Sequence, residues 1–188
     1  MYDAHSAYQA IIEVPFGKIG VRTGDGALKQ IVYLPASVPE MAPINALARR
    51  AVQQIERYLK RAVSPFDLPI EGVGSAFQQR VWQAISAIPC GKVMTYGQIA
   101  RQIGSAPRAV GQACGANYFP LLIPCHRVVS ASGIGGFSNH DGDGYFRDIK
   151  RWLLAHEGVV FSQESAGSPS SFCPPPLGLD AQRQAWGR

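Results

Sequence analysis

Within about twenty residues the chain places two helix starts and two helix stops, which leaves room only for a tight pair of short helices. Thr95, followed three residues later by Gln98, is a capping-box pattern in which each side chain satisfies a backbone N–H that the helix start leaves open. Gly104 stops that first helix after about Gln102. Ser105 is then placed to cap the next helix, and Pro107 falls in its first turn, where a missing N–H costs little. The second helix is expected over residues 107–115. Two short helices around a glycine-containing turn form a helix-turn-helix, whose second member enters a DNA groove. Here that member is slim, with Ala109, Val110, Gly111, Ala113 and Cys114 along it and Arg108 projecting at its start. Small residues also suit tight packing between helices, and it is Arg108 that favours the groove.

Charge points the same way. The 188-residue chain carries a net charge of +5, but its distribution is uneven. From Gly72 to His140 there is no Asp or Glu, whereas Arg80, Lys92, Arg101, Arg108 and Arg127 all lie in that window. An acid-free basic stretch suits a polyanion, because each phosphate neutralised releases condensed counterions. A basic face without a partner is the competing reading.

Around this motif the pattern is α+β. Residues 9–14, 19–22 and 28–34 read as strands, separated by Pro15-Phe16-Gly17 and Gly24-Asp25-Gly26 as hairpin turns. Ile44, Leu47, Ala48, Ala51, Val52, Ile55, Tyr58 and Leu59 recur at helical spacing and predict one amphipathic helix over residues 43–61. Residues 63–74, with two prolines and two glycines, read as a linker. Ser75 is a candidate N-cap for a helix bearing Phe77, Val81, Trp82, Ile85 and Ile88, which stops at Pro89-Cys90-Gly91. Phe146, Ile149, Trp152 and Leu153 mark a last helix, with Gly158 just past its end. Three units are therefore expected: residues 1–70, residues 75–161 and a disordered tail over residues 162–188, rich in Ser, Gly and Pro.

The run Ile123-Pro124-Cys125-His126-Arg127-Val128-Val129 sets a thiol beside an imidazole in apolar surroundings. A thiol attacks only as thiolate, and its ordinary pKa of about 8.5 leaves a few per cent in that form at neutral pH. His126 and Arg127 are the candidate suppliers of a base and a positive field. The four cysteines, Cys90, Cys114, Cys125 and Cys173, show neither CxxC spacing nor a matching histidine cluster. That argues against a disulfide framework and a structural zinc site, and suits a reducing compartment. The first residues lack the pattern of a signal peptide, and no apolar run approaches the roughly 20 residues of a membrane span. A cytoplasmic protein is expected, associated with the nucleoid, or nuclear in a eukaryote.

Taken together, Gly91-Lys92-Val93-Met94-Thr95-Tyr96, Arg108-Ala109-Val110-Gly111, Asn117, the run from Ile123 to Val129, and Leu153-Leu154-Ala155-His156-Glu157-Gly158 resemble the O6-alkylguanine-DNA alkyltransferases. The likeness covers residues 77–158. It implies an RNase H-like N-terminal domain followed by a mainly helical, winged-helix-like domain carrying the helix-turn-helix. It also implies direct repair: O6-methylguanine, with O4-methylthymine a second substrate, is flipped out of duplex DNA and its alkyl group moves irreversibly and stoichiometrically to Cys125. By this resemblance His126 would deprotonate Cys125 through a water, Glu157 would hold His126 in the right tautomer, and Asn117 would brace the turn that carries the cysteine. Tyr96 would rotate the phosphate and donate toward the departing guanine, while Arg108 would fill the gap in the stack. Ala109, Gly111, Cys114, Gly115 and Arg127 would meet DNA, and Pro120, Val128, Phe137 and Ser138 would line the pocket. The partner is double-stranded DNA containing O6-alkylguanine, bound by a monomer, with cooperative binding an open alternative. No metal or cofactor is expected.

The chemistry fits the residues independently. A methyl on a guanine oxygen is a soft, unhindered electrophile suited to a thiolate, and the thioether formed has no hydrolytic exit, so the protein acts once. The segment 139–144, Asn-His-Asp-Gly-Asp-Gly, is longer than the family pattern and is expected to change how readily alkyl groups larger than methyl are accepted. Its Asp-Gly-Asp-Gly lacks the further ligands of a calcium loop. Two other readings compete: a non-catalytic alkylation-damage recognition protein, against which Cys125 speaks, and an alkylation-sensing regulator, for which a separate domain would be expected. A thiol hydrolase would share the Cys-His pair without needing the basic window.

Overall fold

The computed structural model describes residues 7–138 and 144–160. The expected tail over 162–188 and most of the 139–144 segment lie outside the described residues. Three strands form an antiparallel meander: β1 (Ala10–Val14), β2 (Gly17–Thr23) and β3 (Leu28–Leu34). Gly17 holds φ +126 in the first turn, and a Cβ there would lie 2.7 Å from both Leu34 O and the Tyr145 hydroxyl, so only glycine fits. In register, Ala10 faces Val21, Val21 faces Ile31, and Ile19 faces both Ile12 and Tyr33. That alternation gives the sheet one apolar face.

Helix α1 (Ala46–Lys60) adds Ala48, Ala51, Val52, Ile55 and Tyr58 to the core that this face begins. It starts later than the periodicity predicts. Asn45 caps it through Ala48 N, while Ile44 lies before the helix, bonded to Gln9 O and 64% exposed rather than in the core. The expected linker is also partly structured. Pro69 O accepts from Leu28 N and Glu71 N donates to Leu28 O, so this segment pairs with the start of β3.

Helices α2 (Ala76–Ser86), α3 (Tyr96–Ile103) and α4 (Pro107–Gly115) follow. The capping boxes of Ser75 with Gln78 and Thr95 with Gln98 are both formed, and Gly104 ends α3 at φ +66. Ser105 does not cap α4. The cap position is Ala106, extended and without a side-chain bond, because Pro107 at the first helical position sets the entry and removes one open N–H. The Trp82 indole donates to Ala113 O at 2.8 Å and fastens α2 to α4. Two short parallel strands, β4 (Met94–Thr95) and β5 (Val128–Val129), join the start of α3 to the segment after Cys125. Helix α5 (Tyr145–His156) closes the chain onto the sheet, through Tyr145 OH to Leu34 O at 2.7 Å and Trp152 edge-on to Phe16. One continuous apolar cluster runs from Ala10 to Leu153.

Candidate active site

Cys125 opens a single turn of 3-10 helix, Cys125–Arg127, and is 4% exposed. Asn117, just past the end of α4, holds this turn from three directions. Its side-chain amide donates to Ile123 O at 2.8 Å and to Cys125 Sγ at 3.1 Å, and its carbonyl oxygen accepts from Phe119 N at 2.9 Å. The bracing role that the resemblance implies has a direct geometric counterpart.

Behind the cysteine, Glu157 at the end of α5 collects five donors. Oε1 accepts from His126 Nε2 at 2.8 Å, Tyr58 OH at 2.8 Å and Arg127 Nη2 at 2.9 Å. Oε2 accepts from Arg127 Nε at 2.9 Å and Gly91 N at 3.3 Å. Burial alone would raise the carboxyl, but the bonds from His126 and Arg127 outweigh it and hold Glu157 well below the usual carboxylate range. An ionised carboxylate only accepts, so His126 Nε2 carries the proton and Nδ1 is left as the basic nitrogen. Burial lowers the imidazole below its ordinary value, against the pull of Glu157, which keeps the ring neutral and able to take a proton. No direct hydrogen bond joins His126 to Cys125 among the described residues, so a proton passing between them needs a bridge.

The positive field at the thiol does not come from Arg127. Its guanidinium is spent on Glu157 and, through Nη1, on Ile88 O at 2.6 Å, and its side chain is 13% exposed. The ion pair occupies the guanidinium, which counts against both roles expected of Arg127, the field at the thiol and the contact with phosphate. The nearby cation is Lys150, which the sequence reading missed. It is fully buried on α5, donates to Val128 O at 2.6 Å and Gly136 O at 2.8 Å, and sits 5.7 Å and 5.9 Å from the ring centres of Tyr96 and Phe137. Burial pushes its amine down to about 8. The clue was a lysine at the centre of the Phe146, Lys150, Leu154 row, an otherwise apolar i, i+4, i+8 stripe.

Cys125 rests as a thiol. The influence of the Cys114 side chain does most to raise its pKa, burial adds to this, and Asn117 and Lys150 oppose. Cys114, placed on the DNA side by the sequence reading, thus also acts electrostatically on the nucleophile from within α4.

The remaining candidates divide. Arg108 is exposed at the start of α4, Ala109, Gly111, Cys114 and Gly115 are half-buried, and Val110 and Ala113 face inward. Tyr96 donates to Gly136 O at 3.1 Å, beside a depression lined by Thr95, Gln98, Arg101, Pro107 and Ser130. Phe137 is buried against Tyr33, Ser138 holds a left-handed backbone at φ 51, and Pro120 is half-buried. Val128 is fully buried and offers no side-chain surface to a pocket; its carbonyl is taken by Lys150.

Comparison with known proteins bears on the same residues. Residues 76–159 match the family model described as 6-O-methylguanine DNA methyltransferase, DNA binding domain. A methylated-DNA--protein-cysteine methyltransferase of Methanosarcina acetivorans is 36% identical over 159 residues, 80% of this chain and 98% of the relative. The crystal structure of Mycobacterium tuberculosis O6-methylguanine methyltransferase superposes with a TM-score of 0.66 at 34% identity, over 81% of this chain and 94% of that one. A structure of the M. tuberculosis protein in complex with DNA gives 0.62 at 35% identity, over 78% and 90%. With a relative matched over nearly its whole length, this chain belongs to the methylated-DNA--protein-cysteine methyltransferase family.

Proposed function

We propose that the protein repairs DNA directly, by moving the methyl group of O6-methylguanine onto Cys125. The observation that carries this is the fixed tautomer of His126: a neutral imidazole whose Nε2–H is committed to Glu157, one residue from a buried thiol. Its Nδ1 takes the Cys125 proton through a bridging water. The thiolate Sγ then attacks the methyl carbon, an S–C bond forms as the C–O6 bond breaks, guanine departs with that electron pair and takes up one proton, and His126 gives up the proton it took from Cys125, so that the imidazole ends neutral. Asn117 donates to Sγ and Lys150 adds positive field, so both favour the anion.

Access to a cysteine only 4% exposed supports extrusion of the base from the stack, at a cost of a few kcal/mol. The exposed Arg108 at the start of a slim α4 is suited to fill the gap, and Tyr96 to meet the displaced backbone after releasing Gly136 O. O4-methylthymine fits the same route. The DNA complex of the M. tuberculosis relative supports DNA as the partner; for this chain the proposed partner is a duplex bearing O6-alkylguanine, met by one protein molecule. The three-stranded meander with α1 supports the RNase H-like reading of residues 1–70, and the β4–β5 pair beside α3 and α4 supports a winged-helix-like reading of residues 75–161.

The test is intact mass after incubation with a duplex bearing one O6-methylguanine. Wild type gains one methyl, saturating at one per molecule, and Cys125→Ser gains none. Tight binding to the lesion without any gain would replace repair by damage recognition.

A further inference from the structure

Strand β3 carries a phenol whose hydroxyl no described residue hydrogen-bonds. Tyr33 is 4% exposed on the core face of the sheet, opposite Ile19, with its ring held edge-on by Phe16 at 5.7 Å and tilted against Phe137 at 6.0 Å. Its hydroxyl is buried and makes no hydrogen bond among the described residues. The two other tyrosines of the core show what is ordinary: Tyr58 donates to Glu157 and Tyr145 to Leu34 O. A buried hydroxyl without a partner destabilises a fold, and phenylalanine would keep every ring contact without that cost.

Its location suggests what the oxygen is for. Two residues earlier on the same strand face, Ile31 N donates to Tyr118 O at 2.9 Å, so β3 is tied to the turn whose Asn117 braces Cys125. Charge on Cys125 is among the influences on the Tyr33 hydroxyl, although no hydrogen bond joins the two in the resting protein. The far side of the Phe137 ring contact leads to Lys150, whose charge also acts on that sulfur. We propose that Tyr33 is a hydrogen-bond donor held in reserve for the Cys125 thiolate, reached directly or through one water, which stabilises the activated nucleophile and leaves the resting thiol unaided. This deepens the function above and rests on Cys125 as its nucleophile.

A thiol accepts hydrogen bonds weakly and a thiolate accepts them well. A donor that gains its partner only when the proton leaves therefore favours the reacting form alone. Tyr33 keeps its own proton: burial drives the phenol well up, and charge on Cys125 and Tyr145 adds to this. The groups acting on the sulfur come from several elements. Cys114 on α4 opposes ionisation, while Asn117 and Lys150 on α5 favour it. Beyond Lys150, His126 is faced by Glu157 and Arg127, and Tyr33 by Tyr145 and Tyr58.

The experiment compares wild type with Tyr33→Phe in the full chain. Carbamidomethylation of Cys125 by iodoacetamide, in which sulfur displaces iodide and the thiol proton goes to solvent, is followed by peptide mass across pH. The thermal midpoint is recorded in parallel. The expected result is a rate profile displaced upward by about one pH unit, hence about tenfold slower labelling at neutral pH, together with a higher melting temperature. An unchanged profile overturns the proposal, and so does a variant that melts earlier than wild type, since the hydroxyl would then not be idle. If wild type takes no methyl from lesion DNA, the repair reading fails while the iodoacetamide profile still decides the role of Tyr33.

Discussion

Removing one oxygen from Tyr58 should weaken the fold, the opposite of what the same change does at Tyr33. The Tyr58 hydroxyl donates to Glu157 Oε1 at 2.8 Å in the interior. A hydrogen bond to a charged acceptor contributes about 1.5–3 kcal/mol. The lower part of that range applies, because His126 and Arg127 continue to supply Oε1, and a phenylalanine would retain the ring contacts with Phe66 at 5.6 Å and His156 at 5.3 Å. For a chain of this size about 1.5–2 kcal/mol corresponds to a fall of about 3–8 °C in melting temperature. Calorimetry of Tyr58→Phe at neutral pH measures it directly. The sign of the pH dependence gives a second check. Glu157 is held below its unfolded value, so the stability it contributes is complete above the ordinary carboxylate pKa of about 4.3 and is lost as pH falls toward the folded value. The deficit of the variant should therefore be constant above that point and shrink below it. An unchanged melting temperature at neutral pH would refute the reasoning.

Three further outcomes separate the groups around the sulfur. Arg127→Met should cost about 3–5 kcal/mol, measured by urea unfolding, because it breaks a buried pair, yet leave the salt dependence of DNA binding intact. Arg108→Ala should instead slow methyl transfer from a lesion duplex while leaving transfer from the free O6-methylguanine base nearly unchanged, and a slope change in Arg127→Met would restore the DNA role. Cys114→Ala should speed iodoacetamide labelling of Cys125 at neutral pH by removing the largest influence that keeps the thiol protonated; slower labelling would contradict that. Lys150 is depressed to about 8 from an unfolded value near 10.4, so between those points the unfolded chain binds more protons at this group and its contribution to stability rises with pH, while the raised thiols and phenols act in the opposite sense. Urea unfolding across that window should therefore show the stability of wild type rising relative to that of Lys150→Met, and a constant difference would contradict this.

Much of the fold was legible because it is written locally. The Thr95–Gln98 capping box, the Ser75 cap, the glycine stop of α3, the limits of α4 and the limits of β3 all follow from local residue patterns. Cys125, His126, Asn117 and Glu157 were equally legible as a set, through the family pattern, and the structure brings them together. What the sequence hid was partnership over long separations. Arg127 looked like a free cation because Glu157 lies 30 positions away, and nothing local pairs them. Lys150 and Tyr33 look ordinary in their own helix and strand, and gain meaning only where α5 and β3 meet the cysteine turn. The pairing of residues 69–71 with β3 was lost behind proline and glycine, since an edge contact leaves no periodicity.

The five donors gathered by Glu157 also set the order in which the protein becomes reactive. Its bond to Tyr58 closes a separation of 99 residues and its bond to His126 one of 31. Contacts so far apart in sequence carry a loop-closure cost that is recovered only when the intervening elements have docked. Until α5 is seated, His126 has no fixed tautomer and Cys125 has no Lys150 beside it. A chain emerging during synthesis, or one caught partly folded, thus lacks the assembled base and cation that let this thiol act on a lesion. Commitment of a protein that can react only once is deferred until the surface that selects its substrate is also complete.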